Sequence, residues 1–282
     1  MASLRSIVQL CSTISFNSYW PGFQNGSIYR GPLKAICLPS LNCYSCPGAI
    51  GSCPIGSLQA IVGSISFQFS FYVMGLLLLF GVTLGRFICG WLCPFGYIQE
   101  LLYRLPVPKI QLPHWSSKVK YFILLGVFLL PLLPTATGIG VPYFCQYLCP
   151  TGTLEAAIPL YLSYPPIRSA TGALFWWRIF WLGLILLLAA MFYRGFCRTL
   201  CPLGAFYSFF NRFSLWQIHY YSAKCNNCGQ CSTTCPMQLK VTENPNHPEC
   251  IRCLKCTKSC STQALKFQFA TETNKEVYNF EA

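Results

Sequence analysis

Residues 68–96 read QFSFYVMGLLLLFGVTLGRFICGWLCPFG. No Lys, Arg, Asp, Glu or His occurs from residue 35 to residue 85. A helix needs about 17–25 apolar residues to cross roughly 30 Å of hydrocarbon, and residues 68–85 supply that length. A buried core helix suits a shorter apolar run better, so a membrane span is the reading. The run ends on Arg86, then on Cys89 and Cys93-Pro94. An uncharged span that delivers paired cysteines to one end decides the fold.

The same reading extends to residues 121–137 and to 172–193, the latter interrupted only by Arg178. Residues 4–16 are too short and too rich in Ser and Thr to span, and fit an interfacial helix. The expected fold is a mainly α membrane protein, with about three transmembrane helices plus half-helices, joined to a small α+β ferredoxin-like domain. A composition change after Ser222 divides the chain into a membrane domain, 1–222, and a soluble domain, 223–282. Composition agrees: the chain is 54% hydrophobic and only 10% charged, against about 25% charged for a soluble domain. All 7 acidic residues are glutamates, and only Glu100 and Glu155 precede residue 243. Hydrolases built on paired carboxylates and oxygen-ligand cation sites therefore have little to use. Neither a Gly-rich dinucleotide fingerprint nor a phosphate loop occurs, so nucleotide binding has no support. His114, His219 and His247 lie outside the spans and no CxxCH occurs, which argues against membrane haem.

Of the 19 cysteines, 18 fall into tight groups. Cys53, Cys93, Cys149 and Cys201 each open a Cys-Pro-x-Gly motif, and the last three have a partner four residues earlier, Cys89, Cys145 and Cys197. Proline suits the first turn of a helix, and a helix starting there aims its positive end at whatever the cysteine holds. One span separates successive motifs, so they alternate between membrane faces. Cys89, Cys93, Cys197 and Cys201 then share one face, a full set of four thiolates. The opposite face collects Cys37, Cys43, Cys46, Cys53, Cys145 and Cys149. One cluster is expected there, on Cys43, Cys46 and Cys53 with Cys149 or Cys145 as the fourth. The surplus pair is left as idle thiols, a structural disulfide or a redox-active one.

Cys225, Cys228, Cys231 and Cys235-Pro236 follow C-x2-C-x2-C-x3-C-P, and Cys250, Cys253, Cys256 and Cys260 repeat it. In such runs three cysteines grip one cubane and the fourth reaches the other. The expected ligand sets are Cys225, Cys228, Cys231 and Cys260 for one 4Fe-4S cluster, and Cys250, Cys253, Cys256 and Cys235 for the second. Paired zinc sites are the competing reading. The formal charge of +13 would fall to about +5 with four clusters of charge −2 each. The basic residues therefore read as counter-charges and sidedness markers, not as a nucleic-acid footprint. The face of the soluble domain holds Arg86, Arg104, Lys109, Lys118, Lys120, Arg194, Arg198 and Arg212. The other face holds Arg5, Arg30, Lys34, Arg168 and Arg178. The excess predicts a cytoplasmic soluble domain on a multi-pass protein of the cell (inner) membrane. Arg86 and Arg198 are candidates to tune cluster potential. Arg178 reads as an interfacial arginine or as a group that binds an acceptor head group or an outer cluster. Glu155 reads as a helix-start carboxylate or as a proton acceptor for quinol.

CxxxCP motifs at helix ends followed by a double-cluster ferredoxin resemble the membrane polyferredoxins of the NapH/NosR type, over residues 87–260. The resemblance implies an electron-transfer subunit of an oxidoreductase system, working between a quinone pool or cytoplasmic donor, a flavoprotein among the candidates, and a partner redox protein. It carries the ligand roles to Cys89, Cys93, Cys197, Cys201 and the eight ferredoxin cysteines. Two other readings stand beside it: a membrane reductase acting on an outer disulfide or oxidising quinol, and a cluster-holding assembly or sensing subunit. The chain departs from the family pattern in its third CxxxCP at Cys145–Cys149, in its cysteine-rich 37–53 loop, and in lacking the fused flavin domain of some relatives.

Overall fold

The computed structural model describes residues 4–63, 71–132 and 140–270. Apolar composition makes the long helices, and paired contacts at their ends fix where they run. The helix Phe71–Leu84 begins near the 37–53 loop, where the Cys37 N–H donates to Tyr72 Oη at 3.4 Å. It ends at the Leu84 carbonyl, which accepts from Arg252 Nη1 at 2.9 Å. Val119–Leu129 runs the other way, from the Lys120–Glu249 ion pair toward Pro131 and Gly140. Ala173–Met191 returns, from Arg178 on the Gln146 carbonyl to the Ala190 carbonyl under Lys109. Each helix therefore connects one cysteine group to the other.

Two stretches, Trp115–Leu132 and Ala173–Met191, are long and apolar enough to cross a membrane. Only 22% of each is buried within the protein, whereas a soluble core helix would be mostly covered. Phe122, Trp176, Phe180 and Leu187 are among the apolar side chains left facing outward. The span read at 68–85 appears as the 14-residue helix Phe71–Leu84; residues 64–70 and 133–139, where the first two spans were expected to extend, lie outside the described residues.

The segment read as an interfacial helix forms a helix, Leu4–Phe16, but its two ends touch different sites. Arg5 Nε and Gln9 Nε2 both donate to the Gly90 carbonyl at 3.0 Å. Just past the other end, Asn17 Nδ2 donates to Asn42 Oδ1 at 3.1 Å. Leu4, Ile7, Leu10 and Ile14 remain exposed on the opposite face. Buried polar partners hold the other face of the helix against the bundle. This also moves Arg5 from the outer face, where residue counting put it, to the side of the soluble domain.

That soluble unit is closed by an antiparallel sheet of β1 (Trp216–Tyr220) and β2 (Leu265–Phe269), with Trp216 opposite Phe269 and Tyr220 opposite Leu265. The composition change at residue 223 falls inside this unit. The strand Trp216–Tyr220 is as aromatic as the membrane half, so composition marks the boundary late. Phe87 stacks between Trp91 and Phe267 with ring centroids 5.0 and 5.7 Å away, joining the two parts through one aromatic column.

Candidate iron–sulfur sites

Cys53, Cys93, Cys149 and Cys201 share one backbone conformation, with φ between −80° and −68° and ψ between 112° and 129°. At Cys53, Cys93 and Cys201 proline then starts an α-helix, and at Cys149 it precedes the π-helical turn Gly152–Ala157. The motif glycine turns its N–H back to the thiol, at 3.3 Å for Gly204 on Cys201 Sγ and 3.5 Å for Gly152 on Cys149 Sγ. A Cβ at Gly96 or Gly204 would stand 3.1 or 3.0 Å from the Cys89 or Cys197 carbonyl oxygen. Glycine is what lets the new helix fold back on the preceding turn.

Cys89, Cys93, Cys197 and Cys201 are all buried in one core and interact electrostatically with one another. Burial, then the neighbouring Cys197 and Cys89, pushes the Cys93 thiol up to about 12. Binding a metal cation favours the thiolate form at such a site. Gln99 Nε2 donates to Cys197 Sγ at 3.0 Å.

Two arginines embrace this set by a crossed arrangement. Arg86 stands three residues before Cys89 and donates from Nη2 to the Cys197 carbonyl at 3.3 Å. Arg194 stands three residues before Cys197 and donates from Nη1 to the Cys89 carbonyl. Arg194 takes the left-handed conformation at φ 52°. Arg86 pairs with Glu249 at 2.8 Å and Arg194 with Glu100 at 2.6 Å. Lys120 also pairs with Glu249, and Arg5 with Glu100. With Arg198, which is also buried and interacts with Glu249, five cations face two carboxylates, leaving an excess of three positive charges. A 4Fe-4S core of charge 2+ held by four thiolates carries −2 and offsets most of that excess; without it the excess would be costly. Arg86 Nε is also buried without a hydrogen-bond partner, a donor suited to an anionic sulfur-rich group. The residues fit such a cluster. Arg198, also a candidate to tune cluster potential, interacts with Glu249 and Cys235, and Arg194 and Gln99 join Arg86 at the inner set.

In the soluble unit, Cys225, Cys228, Cys231 and Cys260 line one small cavity, and Cys235, Cys250, Cys253 and Cys256 line another. Left-handed residues recur in register through the two halves: Asn227 with Arg252, Gly229 with Leu254, Gln238 with Gln263. Such turns direct successive N–H groups into a concavity that favours an anion.

The second cavity lies against the membrane part. Trp91 Nε1 donates to the Arg252 carbonyl at 3.0 Å, and Asn211 Nδ2 donates to the Cys250 and His247 carbonyls at 2.8 Å each. Burial alone would raise the Glu249 carboxyl, but Arg86 and Lys120 hold it down to about 2. A Cβ at Gly90 would overlap the Ile251 carbonyl oxygen. Gly90→Ala is therefore expected to cost about 1–3 kcal/mol and to loosen the soluble unit, read as increased protease cleavage between residues 211 and 224. Unchanged protection would contradict this packing.

On the opposite side a cavity of about 590 Å³ is lined by Cys43, Cys53, Cys145 and Cys149, with Arg178 at its wall. Cys46 and Cys37 lie outside that lining. Cys46 Sγ contacts Asn17 Oδ1 at 3.5 Å, and Cys37 bridges to Ser52 in a short parallel pairing. All the described cysteines are free thiols. Glu155 Oε2 accepts from the Cys43 N–H at 3.0 Å, so its carboxylate holds the cysteine loop. Tyr207, fully buried, donates to the Pro39 carbonyl at 2.9 Å and packs in the core that holds both Cys89 and Cys53. Gln59, Gln99 and Tyr207 were missed by motif reading; only their common spacing, six residues after Cys53, Cys93 and Cys201, could have flagged them.

Cysteine sets at helix starts, beside a double-loop cysteine domain, define a ferredoxin-type 4Fe-4S protein. The sequence profile of a 4Fe-4S binding domain matches residues 66–113, 121–158 and 173–218, and each match contains one apolar helix and one CxxxCP. An uncharacterised protein of Methanocaldococcus jannaschii is 35% identical over 67% of this chain and 74% of its own length. The ferredoxin-type protein NapH of Haemophilus influenzae is 27% identical over 68% of this chain and 66% of its own. The regulatory protein NosR of Stutzerimonas stutzeri is 30% identical over 60% of this chain but only 22% of its own. No solved structure matches. The chain belongs to the membrane polyferredoxin family of the NapH/NosR type, the ferredoxin-type 4Fe-4S proteins of electron transport.

Proposed function

We propose that this chain is a multi-pass membrane electron carrier with four 4Fe-4S sites in series, between a cytoplasmic donor or quinone pool and a partner redox protein. The ligands would be the two soluble sets of four, the inner set Cys89, Cys93, Cys197 and Cys201, and a fourth set among the outer cysteines. When bound, such clusters supply one-electron chemistry with little rearrangement. The chain's residues supply order and environment. The observation that carries this reading is the excess of buried positive charge at the inner set: Arg5, Arg86, Lys120, Arg194 and Arg198 against Glu100 and Glu249. Contacts from Glu249 to Arg252 bring the Cys250 set against the inner one, and Tyr207 stands between inner and outer groups. With Arg5 moved across, Arg30, Lys34, Arg168 and Arg178 remain on the outer side, which supports a cytoplasmic soluble unit.

Anaerobically purified protein should contain about sixteen irons with matching sulfide per chain. Zinc instead of iron, or fewer than about eight irons, would end the proposal. Gln99→Leu should lower the potential of the inner cluster alone, because it removes an N–H bond to ligand sulfur that favours the reduced form. A redox titration followed by electron paramagnetic resonance reads this; no shift in any signal would remove Gln99 from the site.

A further inference from the structure

The geometry points to the outer cavity as a second internal copy of the inner site, with Cys43, Cys53, Cys145 and Cys149 as the ligands of one 4Fe-4S cluster. This rests on the carrier reading above and fixes which of six outer cysteines serve it.

The correspondence runs residue by residue. Six positions after Cys93 stands Gln99, whose amide reaches Cys197 Sγ, the first cysteine of the opposing CxxxCP, at 3.0 Å. Six positions after Cys53 stands Gln59, whose amide reaches Cys145 Sγ, again the first cysteine of the opposing CxxxCP, at 3.7 Å. Cys53 thus matches Cys93, Cys145 matches Cys197, and Cys149 matches Cys201. One position is left to assign, the counterpart of Cys89. Six residues after Cys201 stands Tyr207, which packs in the same core as Cys89. Six residues after Cys149 stands Glu155, and its carboxylate takes the N–H of Cys43. Cys43 lines the cavity with the other three thiols and is left as the fourth ligand, although it comes from a loop with no CxxxCP spacing.

Distances agree. A Cβ at Gly152 would stand 3.8 Å from Cys43 Sγ, and one at Gly56 would stand 3.9 Å from Cys145 Sγ. Each motif glycine of this site thus faces a thiol from the opposing half. Two cavity-lining donors, Asn42 Nδ2 and Thr151 Oγ1, are buried without a hydrogen-bond partner, and an anionic sulfur-rich group would accept from them. Pro142 stands three residues before Cys145, where Arg86 and Arg194 precede their cysteines, so the copy lacks the crossed arginine pair.

The test compares the full-length parent, C43S, C145S and a C37S/C46S double variant, all purified without oxygen. Iron and sulfide per chain and integrated spin after dithionite reduction are the readouts. C43S and C145S should each lose one cluster, about four irons, with the soluble-domain signals retained as a check of folding. The double variant should keep the full complement. Loss of a cluster from the double variant, or full retention in C43S and C145S, overturns the assignment. Should C43S fail to fold, the double variant decides alone. A parent holding clusters only at the inner and soluble sets overturns this inference while the carrier reading stands; a parent with no iron–sulfur signal removes both.

Discussion

Cys201→Ala is expected to remove about four irons from the chain while the signals of the soluble domain persist. Its thiol is buried, accepts the Gly204 N–H and interacts with the other three inner thiols. Alanine offers no ligand, and no exposed cysteine adjoins the site to replace it. The electrostatic consequence is as large as the chemical one. With the cluster gone, Arg86 and Arg194 lie fully buried in an excess of positive charge, a condition that costs several kcal/mol per uncompensated ion. Reduction of the outer site through the soluble domain should fall to background in rapid mixing with a chemically reduced donor. Retention of the full iron content would take Cys201 out of the ligand set.

The second large effect concerns one carboxylate. Glu249 pairs with Arg86 and Lys120, whose side chains are both 0% exposed. Glu249→Leu leaves two buried cations without their partner and should cost about 3–5 kcal/mol. Arg86 also holds the Pro248 carbonyl at 2.9 Å, so the loss falls on the seam between membrane part and soluble unit. The variant should keep its soluble-domain clusters, since all eight cysteines remain, yet lose protection from hydrogen exchange around Asn211 and Ser214. Electron passage to the inner site should slow in parallel. Glu249→Gln keeps hydrogen-bond acceptance without the charge and should fall between parent and Leu variant. A Glu249→Leu protein as stable and as protected as the parent would show that the seam is held by other contacts.

Much of this was legible because iron–sulfur ligation writes itself into spacing. A tight loop must place three cysteines within reach of one cubane, so the C-x2-C-x2-C runs announced two sets, and the structure gathers each around its own cavity. Proline after cysteine announced helix starts for an equally local reason. Arg194 was not singled out from the sequence, because the left-handed turn that directs its guanidinium to the inner set has no local signature. Arg5 was assigned to the wrong side because its partners, Gly90 and Glu100, are more than eighty residues away.

The sequence by itself determined the apolar spans, the cysteine motifs and the alternation that brings Cys89, Cys93, Cys197 and Cys201 to one side, since each follows from helix length and nearest-neighbour geometry. Only the tertiary structure decided that Cys43 and not Cys46 enters the outer cavity, that Arg5 joins the inner charge balance, and that Glu249 fastens the soluble unit. Those outcomes depend on which buried charge or thiol meets which across long stretches of chain, and burial makes each such meeting all-or-none.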